Sequence, residues 1–291
     1  MAAYNKHLIV VGTARSGTSW LAELIATQHR YRILFEPEHE YRTPKGKLIC
    51  DQWFNKTKAC YPTENSYLKQ VFSNTVDCNW IGQLSNRRLK RHLWPFIPKK
   101  YIIKFVRANL SAQYMNHHFG IPVLHLIRNP YEVIKSQLRV NFPWLFDLSI
   151  FSAQEDLVAL VKTNYDLDIT AYKSLSKSEV LCLRWCLENV IPLELLGGYN
   201  GKVRMIRYEE LTGQIDRFID LCQFFDLDPR ADIKAIYNRP SSKAHPKSRY
   251  RQQVEPVQSY HLNPTDIRGI SSILNAFKTQ LYLTEPPINI K

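Results

Sequence analysis

The chain has 291 residues, of which 45% are hydrophobic and 22% charged, and its formal net charge at pH 7 is +13. This is the composition of an ordinary globular protein that can bury a sizeable core. No apolar run approaches the roughly 20 residues that span a membrane, and the first residues lack the features of a signal peptide. We therefore expect no membrane span and a cytoplasmic location.

The positive charge is concentrated in one part of the sequence. Between Cys78 and Tyr131 there are nine Lys and Arg residues and no Asp or Glu. Such a distribution favours a polyanionic ligand and speeds its arrival. A nucleic acid and a heavily phosphorylated cofactor both fit it, and a solvated basic surface is the plain alternative.

The six cysteines show no CxxC pair and no metal-ligand spacing with histidine, so the sequence predicts no metal site. Cys182 and Cys186 are one helical turn apart and are predicted to be small buried apolar residues. A disulfide in the segment from Cys50 to Cys78 would be unusual in a reducing compartment.

Apolar runs alternate with helical periodicity along the chain. The sequence predicts strands at 6–12, 32–35, 101–106, 123–127 and 203–206. It predicts helices directly after the first strand, near 110–119, after Pro130, at 178–196, and near 211–225 and 264–281. This alternation indicates an α/β protein with a central parallel sheet flanked by helices. We expect residues 1–291 to form a single domain with a surface insertion at about 37–100.

The segment GTARSGTS, residues 12–19, nearly matches a phosphate-binding P-loop. Gly12 and Gly17 have the G-x-x-x-x-G spacing, but Thr18 stands where the P-loop has its lysine. A sharp turn before a helix presents backbone N–H groups and the helix dipole to an anion. The candidate anion-binding residues are Arg15, Ser16, Gly17, Thr18, Ser19 and the adjoining Trp20. An ordinary tight turn is the alternative for the loop, and core packing is the alternative for Trp20.

A second motif, HLIRNPYEVIKSQL, covers residues 125–138. Arg128 comes at the carboxyl end of a predicted buried strand, where ligands of open α/β sheets gather. Ser136 lies two turns along the following helix. If the strand–turn–helix geometry brings the two together, they form a second phosphate site. An arginine that caps a strand and a serine on a solvated helix face are the alternative.

Together, RSGTSWL and R-N-P-x-x-V-x-x-S resemble the paired cofactor signatures of the sulfotransferases. In that family the first loop holds the 5′-phosphosulfate of 3′-phosphoadenosine 5′-phosphosulfate (PAPS), and the second motif holds its 3′-phosphate. RSGTSWLAELIATQHRYRILFEPEH, residues 15–39, is especially similar to carbohydrate sulfotransferases, in which Phe/Tyr-Glu-Pro follows the loop. The segments at 203–211 and 259–282 resemble the family's late strand and closing helix. The resemblance implies the sulfotransferase fold, PAPS as donor and PAP as product.

The resemblance also implies a catalytic base. Carbohydrate-type sulfotransferases use a glutamate shortly after the second strand, and Glu36 in FEPEH matches that position. Such a group removes the acceptor proton during in-line attack. Arg15 would stabilise the leaving group. Glu38, His39 and Glu40 stay open as alternatives for the base, with His39 the strongest of them.

Further cofactor contacts are implied in the last third of the chain. Tyr208 corresponds by motif to a family tyrosine near the adenine, although a core tyrosine is an equal alternative. The basic segment at 239–251 lies where many relatives have a loop over the 3′-phosphate. Its candidate contacts are Ser241, Lys247 and Arg249, and a flexible basic loop is the plain alternative.

The leading hypothesis is a metal-independent sulfotransferase that moves the sulfuryl group of PAPS to a hydroxyl of a sugar, glycolipid or small metabolite. The missing P-loop lysine argues against ATP, because a kinase would need that lysine and an acidic magnesium ligand. A degenerate kinase, a nucleic-acid binder and a non-catalytic nucleotide-binding homologue remain alternatives. Residues 37–100 and 143–175 would select the acceptor, and no nucleic-acid partner is expected.

Overall fold

The computed structural model describes residues 6–28, 31–54, 61–84, 100–195, 198–243 and 261–282. Its internal contacts divide the chain into two compact units. The first consists of Met1–Ile127 with Gly198–Lys243, and the second of Arg128–Gly197 with Ala244–Lys291. The single domain expected over 1–291 stays a prediction.

Strands and helices alternate along most of the described chain. The strands are β1 (Leu8–Val11), β2 (Tyr31–Phe35), β3 (Lys100–Lys104), β4 (Val123–Ile127) and β5 (Val203–Arg207). The helices are α1 (Thr18–Ala26), α2 (Pro62–Phe72), α3 (Ala112–Phe119), α4 (Pro130–Val140), α5 (Ser149–Ser152), α6 (Glu155–Tyr165), α7 (Lys177–Val190), α8 (Tyr208–Leu211), α9 (Ile215–Phe224), α10 (Ile233–Ile236) and α11 (Pro264–Phe277). Short 3₁₀ turns cover Gly46–Leu48, Pro143–Phe146 and Ile169–Ser174.

The first unit contains a parallel sheet. Its strand order is β2-β3-β1-β4-β5, and every neighbouring pair runs parallel. The predicted α/β class with a central parallel sheet is confirmed. The continuous apolar runs have the expected cause, because β1 and β4 are buried along their whole lengths.

Both faces of this sheet are covered by helices. Ile9 and Ile103 point to one face and pack in a cluster with residues of α2 and α3. Val10 and Ile102 point to the other face and pack with residues of α1 and α9. The alternation follows from the two-residue period of a strand. Because both faces of the sheet are apolar, we expect polar groups at the carboxyl ends of the strands and in the loops that follow them.

The segment at 37–100 differs from the expected surface insertion. It contains the helix α2, whose Tyr67, Leu68, Val71 and Phe72 are buried in the core cluster on one sheet face. Proline and lysine residues around this helix obscured its apolar stripe in the sequence. In its described part, the segment is therefore a piece of the core, and its proposed contribution to acceptor binding stays a prediction.

The second unit is helical in its described residues. Helix α7 packs against α4 and α11, and its Cys182 and Cys186 are fully buried, as predicted. The helix expected at 178–196 continues beyond α7 as a π-helical turn, Ile191–Leu195. Pro192 explains the change, because it has no N–H to donate and its ring crowds the preceding turn. No helix in the described ranges has both the length and the apolar character to cross a bilayer.

Candidate active site

The loop between β1 and α1 has the backbone of an anion-binding turn. The amide of Ser16 donates to the carbonyl of Thr13 at 3.0 Å, which closes the turn. Arg15 and Gly17 both have left-handed backbone angles, with φ of 76° and 98°. Gly17 is the N-cap of α1, and a glycine has no side chain that could accept from the first helical amides. These amides are therefore available to a bound anion.

A close approach of Tyr208 requires glycine at position 17. A Cβ atom added to Gly17 would lie 2.6 Å from Cε2 of Tyr208. The ring of Tyr208 also contacts Trp20 edge-on, with centroids 5.8 Å apart. The indole Nε1 of Trp20 donates to the carbonyl of Tyr237 at 3.1 Å. Trp20 and Tyr208 thus pack against the loop from one side. Trp20 also packs against the hydrophobic core, as the core-packing alternative for this residue predicts.

The hydroxyl groups of the loop differ in burial. Ser16 and Thr18 are buried, whereas Ser19 and Arg15 are half-buried. The Oγ atom of Ser16 is buried without a hydrogen-bond partner among the described residues. A buried hydroxyl normally has a partner. An anion bound by the loop would give this hydroxyl a hydrogen-bond partner.

Glu36 directly follows β2 and forms an ion pair with Lys104, the last residue of β3. The side chain of Lys104 is 2% exposed and that of Glu36 is 16% exposed. The Lys104 ammonium also lies 4.5 Å from the centroid of the Phe35 ring. Glu36 has a positive φ of 44°, an uncommon conformation for a residue other than glycine. The chain is thus bent to present this carboxylate beside the buried lysine.

The strand order brings this pair to the same sheet edge as the loop. Strand β3 lies between β2 and β1, and all three are parallel. The carboxyl end of β2 is therefore two strand spacings, roughly 10 Å, from that of β1. Parallel sheets bind their ligands at this edge.

Two neighbouring carboxylates are occupied by structural contacts. Glu38 is fully buried, and its Oε1 accepts from the backbone amides of Val106 at 2.7 Å and Arg107 at 3.1 Å. Burial raises the pKa of Glu38 to about 7, and the nearby Glu36 adds to the shift. Glu40 pairs with the guanidinium of Arg107 at 2.8 Å. The same guanidinium binds Asp51 through Nε and Nη2, at 3.0 and 2.6 Å.

His39 remains half-buried beside Trp80, with ring centroids 4.9 Å apart. Burial lowers the pKa of His39, and the negative charge of Glu36 opposes that shift. Its Nδ1 accepts from the amide of Tyr41 at 3.4 Å. Of the four side chains left open by the sequence, Glu38 is thus fully buried, Glu36 and Glu40 are each ion-paired and partly exposed, and His39 is half-buried. Which of them is the base stays a prediction.

Arg128 and Ser136 belong to the second unit. Arg128 directly precedes α4, whose N-cap Asn129 accepts from the amides of Tyr131 and Glu132. The guanidinium of Arg128 lies 3.8 Å from the carboxylate of Glu132, and its carbonyl accepts from Trp185 Nε1 at 3.1 Å. Ser136 is half-buried two turns into α4. The second motif therefore has the predicted turn and helix, and its phosphate role stays a prediction.

The basic segment at 239–251 is described only to residue 243. Ser241 donates to Glu23 of α1 at 2.8 Å, and the amide of Ser242 donates to the other oxygen of the same carboxylate at 2.8 Å. Ser241 is thus held by α1. Lys247 and Arg249 lie outside the described residues.

Lys104 was not among the site residues predicted from the sequence. The available signal was a lone cation inside an otherwise apolar run, YIIKFV. A lysine is almost never fully buried without a partner, so its place in a buried strand predicts a carboxylate beside it. In the described part of the chain, no group of three or more His, Cys, Asp or Glu side chains could hold a metal ion.

No protein-family model and no curated protein matches the chain. Among solved structures, a sulfotransferase from Alicyclobacillus acidocaldarius is 15% identical, with 93% of this chain and 91% of that chain covered and a TM-score of 0.42. A mouse sulfotransferase complexed with PAP is 14% identical, with coverages of 95% and 85% and a TM-score of 0.40. A sulfotransferase from Mycobacterium avium is 14% identical, with coverages of 98% and 79% and a TM-score of 0.47. These TM-scores all lie below 0.5, so the function of the chain is inferred from the residues of the site.

Proposed function

We propose that the chain is a sulfotransferase that transfers the sulfuryl group of PAPS to a hydroxyl acceptor and releases PAP. The observation that carries the proposal is a lysine-free P-loop-like turn at the same sheet edge as the carboxylate of Glu36. The similarity of residues 15–39 to carbohydrate sulfotransferases supports the same conclusion.

The loop at 12–19 fits the 5′-phosphosulfate of the donor. Its orphaned Ser16 hydroxyl and the uncapped first amides of α1 offer hydrogen bonds to a phosphate or sulfuryl oxygen. Arg15 adds a planar cation suited to oxyanions. Thr18 and Ser19 supply further hydroxyls, and Tyr208 shapes the loop at Gly17. The 3′-phosphate is assigned to Arg128 and Ser136 by the sequence resemblance.

Glu36 is the proposed base. PAPS supplies the sulfuryl group: the acceptor oxygen bonds to sulfur as the bond from sulfur to the 5′-phosphate oxygen breaks. The acceptor proton passes to the carboxylate of Glu36, and Arg15 balances the charge that develops on the leaving phosphate. Lys104 forms an ion pair with Glu36 and holds the carboxylate in place.

The chemistry of the loop separates this function from a kinase. A terminal phosphoryl group is bound by the P-loop lysine together with magnesium, and Thr18 occupies the lysine position. A sulfuryl group carries less negative charge, so amides, hydroxyls and one arginine are an adequate set of donors.

The proposal is tested by incubating the purified chain with PAPS and a mixed panel of hydroxyl acceptors. Release of PAP and the gain of a sulfuryl group on an acceptor, both followed by mass spectrometry, are the expected results. We expect Glu36→Gln to lower kcat at least about 100-fold while PAP affinity is kept. Glu155→Gln, which changes an exposed carboxylate of α6, is the matched control. Wild-type turnover in Glu36→Gln would move the role of base to His39.

A further inference from the structure

A groove opens on the first unit next to the proposed base. Its volume is about 360 Å³, and it is lined by Arg42, Cys78, Asn79, Trp80 and Gln83. Trp80 is the aromatic residue among the five, and none of these lining residues is acidic. None of them belongs to the loop or to the Glu36–Lys104 pair described above.

Trp80 connects this groove to the proposed active site. Its ring contacts Phe35 edge-on, with centroids 5.5 Å apart, and it contacts His39 with centroids 4.9 Å apart. Phe35 directly precedes Glu36, and the ammonium of Lys104 lies over the Phe35 ring. A ring that packs on Trp80 would therefore lie beside the residues that flank the base.

Two cations border the groove. The Arg42 guanidinium carbon lies 5.6 Å from the centroid of the Trp80 ring. Lys243 donates to Oε1 of Gln83 at 2.6 Å, and its ammonium lies 6.0 Å from the centroid of the Phe35 ring. Both side chains are exposed, and neither pairs with a carboxylate within the described ranges.

Three acids near these two cations have other partners, and one of them, Glu23, accepts from Ser241 and Ser242. Glu36 is paired with Lys104, and Glu40 is paired with Arg107. An indole side chain with two such cations beside it is suited to a ring that carries a negative charge. A neutral ring would gain the stacking contact alone.

We infer that this groove binds the acceptor, and that the acceptor is a hydroxyl-bearing ring compound that already carries an anionic group. The inference rests on the proposed function, since it takes Glu36 as the base. Trp80 would stack against the ring, and Arg42 and Lys243 would bind the anionic group. An aromatic acid and an acidic sugar share this chemistry, and the experiment distinguishes them.

The test measures equilibrium binding of two matched pairs of probes to the whole chain by calorimetry. One pair is 4-hydroxyphenylacetate and its neutral amide; the other is methyl glucuronide and methyl glucoside. We expect the anionic member of one pair to bind about tenfold more tightly than its neutral partner. The pair that shows this preference identifies the source of the ring.

Substitutions show which side chains cause the preference for the anionic probe. In the double variant Arg42→Gln/Lys243→Gln we expect the anionic and neutral members to bind within about twofold of each other. Lys69→Gln, which removes an exposed charge from α2 outside the groove, should keep the tenfold preference. Trp80→Leu should weaken both members of the preferred pair alike, because both lose the stacking surface.

Three outcomes would overturn the inference: equal binding within both pairs, no binding of any probe, or a preference that the double variant keeps. The same preparations are titrated with PAP, so that the proposed function is judged separately. If PAP binds and the charge preference is missing, the inference about the groove fails alone. If the preference is present but PAP does not bind, the acceptor role fails together with the proposed function.

Discussion

Lys104 at the end of β3 forms an ion pair with Glu36, the first residue after the neighbouring strand β2. The lysine is buried by the strands on either side of it, whereas the carboxylate keeps some exposure. An ion pair of this kind holds one proton acceptor in a fixed place at the ligand-binding edge of the sheet. We therefore expect this ion pair to set the position and the electrostatic surroundings of Glu36. Lys104 then affects the reaction through Glu36.

Replacing the lysine tests this role. We expect Lys104→Met to lower the free energy of unfolding by about 2 kcal/mol, because the partly buried carboxylate of Glu36 loses its partner. We also expect kcat to fall, because the cation that holds the carboxylate in place is gone. Chemical denaturation and initial rates provide the two measurements.

The double variant Lys104→Met/Glu36→Gln is the control for the stability effect. It replaces the charged pair by two uncharged side chains of similar size, so it should be more stable than Lys104→Met alone. Equal loss of stability in the single and double variants would mean that the packing of the lysine stem, rather than the pairing, is responsible.

The turn at Gly17 gives a second prediction. We expect Gly17→Ala to abolish measurable PAP binding and to destabilise the fold by about 1–2 kcal/mol, because the new Cβ meets the Tyr208 ring and the φ of 98° strains a non-glycine residue. Gly213→Ala is the matched control, since Gly213 has a φ of 77° with no neighbouring atom within 4 Å of its added Cβ. The Gly213→Ala variant should have a similar backbone strain and bind PAP with wild-type affinity. PAP binding by Gly17→Ala at wild-type affinity would exclude the loop as the anion site.

Arg128 gives a prediction for the second motif. We expect Arg128→Ala to weaken binding of PAP more than tenfold and to leave binding of AMP nearly unchanged, because only PAP has the 3′-phosphate assigned to Arg128. Arg139→Ala, which changes an arginine of the following helix α4, should affect neither ligand. Calorimetric titration of both variants decides the point, and an equal loss for PAP and AMP would remove this role.

The raised pKa of Glu38 predicts that the free energy of unfolding depends on pH. Its pKa is raised from 4.5 to about 7 in the folded chain, so between these pH values the folded state holds more protons than the unfolded state. The stabilisation that Glu38 gives to the folded state is therefore complete below pH 4.5 and is lost as the pH rises towards 7. Over this range the free energy of unfolding falls by about 3 kcal/mol. Denaturation of Glu38→Gln across this range should lack that slope.

The comparison of Glu38→Gln with the wild type is needed because His7 acts in the opposite direction. Burial lowers the pKa of His7 to about 4, so its contribution to stability is lost as the pH falls through this value. The difference between the two proteins removes the His7 contribution. If the difference does not change with pH, folding does not shift the pKa of Glu38.

The sequence predicted those features that depend on local patterns. Strands β1 and β4 were visible because a strand buried on both faces is a continuous apolar run, as in LIVV and VLHLI. The turn at 12–17 was visible because its glycine spacing and hydroxyl residues are local. Asn129-Pro130 marked the start of α4 for the same reason, since cap and first turn are adjacent in the chain.

Contacts between distant segments could not be predicted in this way. The pairing of Glu36 with Lys104 joins residues 68 positions apart, and it depends on β2 lying next to β3. The burial of Glu38 depends on the amides of Val106 and Arg107, which are equally distant. The helix α2 was missed because proline and lysine residues around it obscured its short apolar stripe, which is buried by the sheet that the helix covers.

The most direct test of the proposed sulfotransferase is calorimetric titration of the whole chain with PAP, beside ATP with and without Mg²⁺. The loop without a lysine predicts tight binding of PAP that does not depend on the metal, and no response to ATP. Binding of ATP–Mg²⁺ together with no binding of PAP would contradict the account, because the loop would then serve a nucleoside triphosphate.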